Sequence, residues 1–188
     1  MGKIQLYFQM TLDGVITDTD KWAIIDEELL QDSFDRFDDL DALIFGSKSY
    51  PGMTAYWTNA ETSAKSELER RFAKKLNEKK KYVASRGDVE LNWQNSEHLK
   101  FSDIESLAGE LDKLRNQYQK NISVESGLKL WQVFIQNSLF DEICSQIHPV
   151  IAGQGGKLFE GGESKFPMSL NRVKTFESGV AKLVYLKK

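Results

Sequence analysis

Cysteine is almost absent. The one thiol, Cys144, lies in an apolar run, where a small core residue is expected rather than a nucleophile, and a lone thiol excludes an internal disulfide. No apolar run approaches the roughly 20 residues needed to span a bilayer. No secretory pattern opens the chain, which passes directly into Lys3-Ile4-Gln5-Leu6-Tyr7-Phe8, so a cytoplasmic protein is expected. No basic stripe interleaved with aromatics appears, and the formal net charge is only -3, so nucleic acid is not an expected partner. Only two histidines occur, His98 and His148, far apart in sequence. No Cys, His or carboxylate cluster has metal-ligand spacing, and no metal is expected. No serine sits in a nucleophile elbow.

What is present suits one compact domain spanning residues 1–188, because two domains would leave each half a thin core. No repeat, low-complexity tract or linker divides the chain. Segments alternate between strand-like and helix-like. Ile4, Leu6, Phe8 and Met10 alternate as a strand with two different faces. Residues 26–40 carry Leu30, Phe34 and Phe37 at helical spacing on an acidic background, which predicts a helix with a wet face. Ala42-Leu43-Ile44-Phe45 is a short continuous run, as in a strand covered on both faces. One helix is predicted over 61–77, with Ala64, Leu68, Phe72 and Leu76 inward. The run Lys79-Lys80-Lys81 reads as its solvated end, and Tyr82-Val83-Ala84 as a strand.

A helix over 102–118 is capped by Ser102 with Glu105 completing a capping box. Residues 122–124 form a strand and 127–137 a helix with Leu130, Trp131 and Phe134 inward. A strand over 142–151 passes through Pro149, and its Ile143, Ile147 and Ile151 offer an apolar edge for pairing subunits. Residues 171–176 and 180–186, joined by Glu177-Ser178-Gly179, predict an antiparallel hairpin. The expected architecture is α/β: a three-layer α/β/α fold around a mixed, mainly parallel sheet with a C-terminal antiparallel hairpin.

Ligands of such sheets bind outside the carboxyl ends of the strands. Four turns stand there: Thr11-Leu12-Asp13-Gly14, Gly46-Ser47-Lys48-Ser49, Ser85-Arg86-Gly87 and Glu125-Ser126-Gly127. Gly46 permits close backbone approach. Lys48 brings charge, Arg86 a guanidinium fork suited to a phosphate monoester, and Gly127 opens a helix whose amides suit an anion. Gly and Ser after a strand are also ordinary loop chemistry. Gly153-Gln154-Gly155-Gly156 is not a dinucleotide fingerprint, because Leu158 stands where the third glycine should be. From residues alone the chain is an α/β domain with an anion-binding edge.

At these same turns the sequence resembles the C-terminal reductase domain of bacterial bifunctional riboflavin-biosynthesis deaminase-reductases, which shares the dihydrofolate reductase fold. The resembling segments run in order over nearly the whole chain. They are Thr11-Leu12-Asp13-Gly14; residues 41–50, Asp41 to Tyr50; Lys81-Tyr82-Val83-Ala84-Ser85-Arg86; Val124-Glu125-Ser126-Gly127; and Leu139-Phe140-Asp141-Glu142 followed by Pro149-Val150-Ile151-Ala152-Gly153.

The resemblance implies NADPH as cofactor. Gly46, Ser47, Lys48 and Ser49 would lie by its phosphates, Ser85 and Arg86 at its 2′-phosphate, and Glu125, Ser126, Gly127 and Leu128 at its pyrophosphate. Thr11, Asp13 and Gly14 would face the substrate, with Asp13 the candidate for positioning it or relaying a proton. The implied reaction resembles that of 5-amino-6-(5-phosphoribosylamino)uracil reductase: hydride transfer to a small pyrimidine-type substrate, in a homodimer. Two departures count. Ser47 stands where the family usually has Arg, and no deaminase domain precedes, so a stand-alone reductase domain is expected. Two alternatives stay open: a pterin reductase like dihydrofolate reductase, for which Asp26, Glu27, Glu28 and Asp32 fit the needed carboxylate poorly, and a non-catalytic nucleotide-binding paralogue.

Overall fold

The structure, a computed structural model, describes residues 1–160 and 166–188. The strands are β1 (Ile4–Thr11), β2 (Leu40–Gly46), β3 (Lys80–Ser85), β4 (Ser96–Lys100), β5 (Asn121–Val124), β6 (Glu142–His148), β7 (Met168–Thr175) and β8 (Ala181–Lys187). The helices are α1 (Glu27–Arg36), α2 (Tyr50–Ser63), α3 (Glu67–Glu78), α4 (Ile104–Gln117) and α5 (Leu128–Gln136). All eight strands form one sheet in the order β4-β3-β2-β5-β1-β6-β8-β7. Neighbours from β4 to β6 pair in parallel, and the hairpin β7–β8 adds antiparallel to β6. Strand-by-strand alternation builds two cores. Ala42 and Ile44 of β2 join Leu6, Phe8, Leu107, Leu111, Trp131 and Phe134 beneath α4 and α5. Leu43 and Phe45 face the other way, with Phe37, Tyr50, Phe72, Leu76 and Trp93, beneath α1, α2 and α3. Each fully buried large side chain stabilises by about 1.5–3 kcal/mol. The three-layer α/β/α architecture with its antiparallel C-terminal hairpin is as expected.

Several boundaries differ from the sequence reading. The helix expected over 61–77 is two helices, broken where Ala64 turns extended and the Ser66 hydroxyl caps the next. The turn after Ser49 opens a full helix of 14 residues. The cap of α4 is Asp103, boxed with Ser106, not Ser102 with Glu105. β6 stops at His148, because Pro149 has no amide for the ladder. β6 also lies between β1 and β8, so Ile143 and Ile147 are on an interior strand, and the sheet edges are β4 and β7. β4 (SEHLK) went unread because only Leu99 of its five residues is buried. Lys81 is no solvated helix end: it is fully buried, donating to the carbonyls of Asn77 (2.7 Å), Lys79 (2.7 Å) and Gln94 (3.3 Å). Burial pushes its ammonium down to about 8.

The acidic helix is not simply wet either. Asp26 caps α1, accepting from the Leu29 amide at 2.8 Å. Asp32 is buried against Lys174 (2.8 Å) and Lys182 (2.7 Å), and Arg36 is buried on the same side of the helix.

Candidate functional site

Because the strands from β4 to β6 are parallel, the turns leaving β3, β2, β5 and β1 emerge in that order along one sheet edge. At roughly 4.8 Å between strands, the ends of β3 and β5 lie about 10 Å apart. Ser85-Arg86, Gly46–Ser49, Glu125–Gly127 and Thr11–Gly14 therefore form a continuous row, as the sequence predicted.

The turns after β2 and β5 interlock. The Gly46 amide donates to Ser126 Oγ at 3.0 Å, Ser49 Oγ donates to the Gly46 carbonyl at 3.1 Å, and the two serine hydroxyls stand 3.4 Å apart. A Cβ at position 46 would lie 2.7 Å from Ser126 Oγ, so close approach rather than backbone dihedral is what requires glycine there. Gly127 then opens α5 in extended conformation with no side-chain cap. The first-turn amides of any helix lack intrahelical partners, and with the helix dipole they form an anion site. Leu128 sits at the first position of α5, where its amide is one of these donors.

Side chains along the row divide. Ser47, Lys48 and Arg86 are exposed, and the Arg86 guanidinium lies 5.9 Å over the Phe101 ring. Ser85 is turned inward: its hydroxyl bonds the Gly87 carbonyl and stands 2.9 Å from His98 Nε2. Glu125 is turned inward too, its carboxylate accepting from Arg36 Nη2 at 2.6 Å and from Ser123 Oγ at 2.7 Å. Ser85 and Glu125, expected beside the cofactor, are thus engaged within the protein: besides these side-chain bonds, the Glu125 amide donates to the Ile44 carbonyl at 2.9 Å and the Ser85 carbonyl accepts from the Phe101 amide at 3.2 Å.

Asp13 is a clamp. Its Oδ1 accepts from Thr11 Oγ1 (2.6 Å) and the Ala152 amide (3.0 Å), and its Oδ2 from the Gly153 amide (2.9 Å). Thr11 Oγ1 in turn accepts from the Val15 amide at 3.0 Å, while Gly14 takes φ 82, which glycine adopts freely. The loop from 150 to 158 lies against this turn: Ile16 donates to the Gly156 carbonyl at 2.9 Å and Leu158 to the Gly14 carbonyl at 3.2 Å. A Cβ at Gly156 would come within 2.7 Å of Leu128 and 2.9 Å of Thr17, which is how this loop reaches the start of α5. The Thr11 hydroxyl, with the Ala152 amide, holds the Asp13 carboxyl down to about 2. A group ionised at neutral pH has no proton to deliver. Asp13→Asn places an amide donor against the Gly153 amide and should loosen the 150–158 loop, seen as faster limited proteolysis there. Unchanged proteolysis would contradict the clamp.

The burial of Arg36, Asp32 and Lys182 was missed in sequence. The signal was the burial phase of α1: Leu29, Asp32 and Arg36 recur at spacings of three and four, but charge made two of them look solvated. Two pockets, of about 230 Å³ between α5, β6 and β7 and about 90 Å³ beside Arg36 and Lys182, touch none of the residues predicted from sequence.

Comparison with known proteins bears on the family and the fold. The family model described as the RibD C-terminal domain matches residues 2–182. The uncharacterized protein YyaP of Bacillus subtilis (strain 168) is 30% identical over 186 residues, 97% of this chain and 94% of its own length. A diaminohydroxyphosphoribosylaminopyrimidine deaminase/5-amino-6-(5-phosphoribosylamino)uracil reductase from Thermotoga maritima superposes with TM-score 0.65 at 19% identity, covering all of this chain and 57% of that one. Dihydrofolate reductase from Enterococcus faecalis, solved with NADP(H) and RAB-propyl, superposes with TM-score 0.61 at 13% identity over 100% and 97%. These structural likenesses establish a dihydrofolate-reductase-like fold. With the family model spanning nearly the whole chain and a full-length relative at 30% identity, this chain belongs to the RibD C-terminal domain family.

Proposed function

We propose that the chain is an NADPH-dependent reductase acting on a small pyrimidine-type substrate. The observation that carries this is the interlocked turn pair at Gly46 and Ser126 beside the uncapped start of α5, with exposed Lys48 and Arg86 on the same row. Free helix amides and flanking cations together fit an extended anion with phosphate groups. Bound NADPH would supply the hydride.

The chain's own residues have the remaining tasks. The amides of Gly127 and Leu128 receive the pyrophosphate, with Gly46, Ser47 and Ser49 beside it. Lys48 stands one position from Ser47, where the family's usual Arg is missing. Arg86 meets the 2′-phosphate. The Asp13 clamp fixes the loop beside the substrate and, being ionised, positions rather than protonates. The reading includes a homodimer, measurable by light scattering, and a cytoplasmic location.

The experiment is NADPH oxidation with candidate phosphoribosylamino-pyrimidines and dihydropterins. Turnover with the pyrimidines supports the proposal. Turnover with pterins alone would shift it to folate-type reduction, against which stands the engagement of Asp26 as a helix cap and Asp32 between two lysines. NADPH binding without turnover on either class would make the chain a non-catalytic nucleotide-binding paralogue.

A further inference from the structure

Arg36 is a heavily engaged, buried cation that the proposed reaction does not use. It leaves α1 and enters the polar layer under the sheet. Its Nη1 donates to Gln5 Oε1 on β1 and to Ser123 Oγ on β5, each at 3.1 Å, and its Nη2 to Glu125 Oε1 at 2.6 Å. The guanidinium carbon sits 3.7 Å over the Tyr7 ring. Both side chains of the ion pair are secluded, Arg36 at 7% exposure and Glu125 at 13%. Ser123 Oγ donates to the same Glu125 oxygen at 2.7 Å. Glu125 is followed directly by Ser126, which holds Gly46, and by Gly127, which opens α5.

A buried ion pair is often no more stabilising than an apolar pair of the same size, so stability alone is a weak reason for this one. Its position gives a stronger one. Glu125 puts a negative charge two residues before the amides that suit a pyrophosphate, where it would oppose an anionic ligand. Arg36 cancels that charge and draws the carboxylate to the underside of the sheet.

We infer that Arg36 is a positioning residue for the dinucleotide: acting through Glu125, it neutralises and withdraws the one carboxylate of the β5–α5 turn, leaving the amides of Gly127 and Leu128 free to receive phosphate. The inference rests on the NADPH reading above. It also ties α1 to the turn that would hold the cofactor, since Arg36 ends α1 and its guanidinium bonds Glu125.

The test compares NADPH affinity, and displacement of NADPH by inorganic pyrophosphate, across wild type, Arg36→Gln, Glu125→Gln and the double variant. Arg36→Gln should weaken both ligands about tenfold or more, raising KM for NADPH with little change in kcat, because its Glu125 is left unneutralised. Glu125→Gln removes the negative charge and should bind NADPH tighter than wild type, by about threefold. The double variant has no charge on either partner and should recover most of the loss, a rescue that mere loss of packing would not show. Circular dichroism establishes folding. If Arg36→Gln does not fold, Glu125→Gln and the double variant still decide, and looser binding by Glu125→Gln overturns the inference. So does a folded Arg36→Gln with wild-type affinity, or a double variant as weak as the single. A wild type without affinity for NADPH removes the underlying proposal, and the inference with it.

Discussion

Arg86→Ala is expected to weaken NADPH roughly tenfold or more while leaving NADH almost unchanged. Arg86 leaves the carboxyl end of β3, next in the sheet to β2 and its Gly46–Ser49 turn. It is exposed, and its guanidinium is stacked loosely at 5.9 Å over Phe101. Its donor fork is thus available to a phosphate monoester, the group that distinguishes NADPH from NADH. Charge-assisted hydrogen bonds contribute about 1.5–3 kcal/mol each, and every 1.4 kcal/mol is about tenfold in affinity. The contrast with Ser85 sharpens the expectation. That hydroxyl is already bonded to Gly87 and His98, so Ser85→Ala should act on the local loop rather than on cofactor choice. Fluorescence titration of both nucleotides measures the discrimination. Equal losses for NADPH and NADH would assign Arg86 a different role.

The largest stability effect is expected from Asp32→Asn. Asp32 is buried and bonded to Lys174 at 2.8 Å and Lys182 at 2.7 Å, linking α1 to both strands of the C-terminal hairpin. Lys182 is buried as well, so losing the carboxylate leaves an ammonium in the interior without its counter-charge. Breaking a buried pair from one side costs about 3–5 kcal/mol, which for a domain of this size lowers Tm by roughly 6–20 °C.

The pH dependence follows from the same contacts. Burial raises the Asp32 pKa, but the hydrogen bonds and charges of the two lysines together outweigh it, and the net shift is downward. A carboxylate with a depressed folded value contributes stability that is present above its unfolded value and lost as pH falls through the folded one. The gap in Tm between wild type and Asp32→Asn should therefore be full near neutrality and shrink as the medium becomes strongly acidic. A gap that stays constant into acid would mean that Asp32 is not titrating as an ion-paired carboxylate.

Much of the architecture was legible in the sequence because it is written in apolar periodicity. β1, β2 and β3 show as short apolar segments, α4 and α5 as helical stripes, and the C-terminal hairpin through Glu177-Ser178-Gly179. The edge turns were legible because glycine, serine and lone cations follow those strands. What escaped is where side-chain chemistry reversed the usual sense of a residue. Lys81, Asp32 and Arg36 are charged and buried, which no hydropathy pattern shows, and each is tolerated only through partners distant in sequence or through backbone carbonyls. β4 escaped because its partner β3 supplies the pairing while its own residues stay half exposed. The inward turn of the Glu125 side chain escaped because the residue that draws it in, Arg36, lies 89 positions away.

The central claim is that the carboxyl-edge turns gather around a phosphorylated dinucleotide, and amide chemical-shift mapping of the whole chain during NADPH titration tests it most directly. The largest shifts should fall together on Gly46, Ser47, Arg86, Ser126, Gly127 and Leu128. Shifts confined to the pocket between α5 and β6, or none at saturating NADPH, would contradict the account.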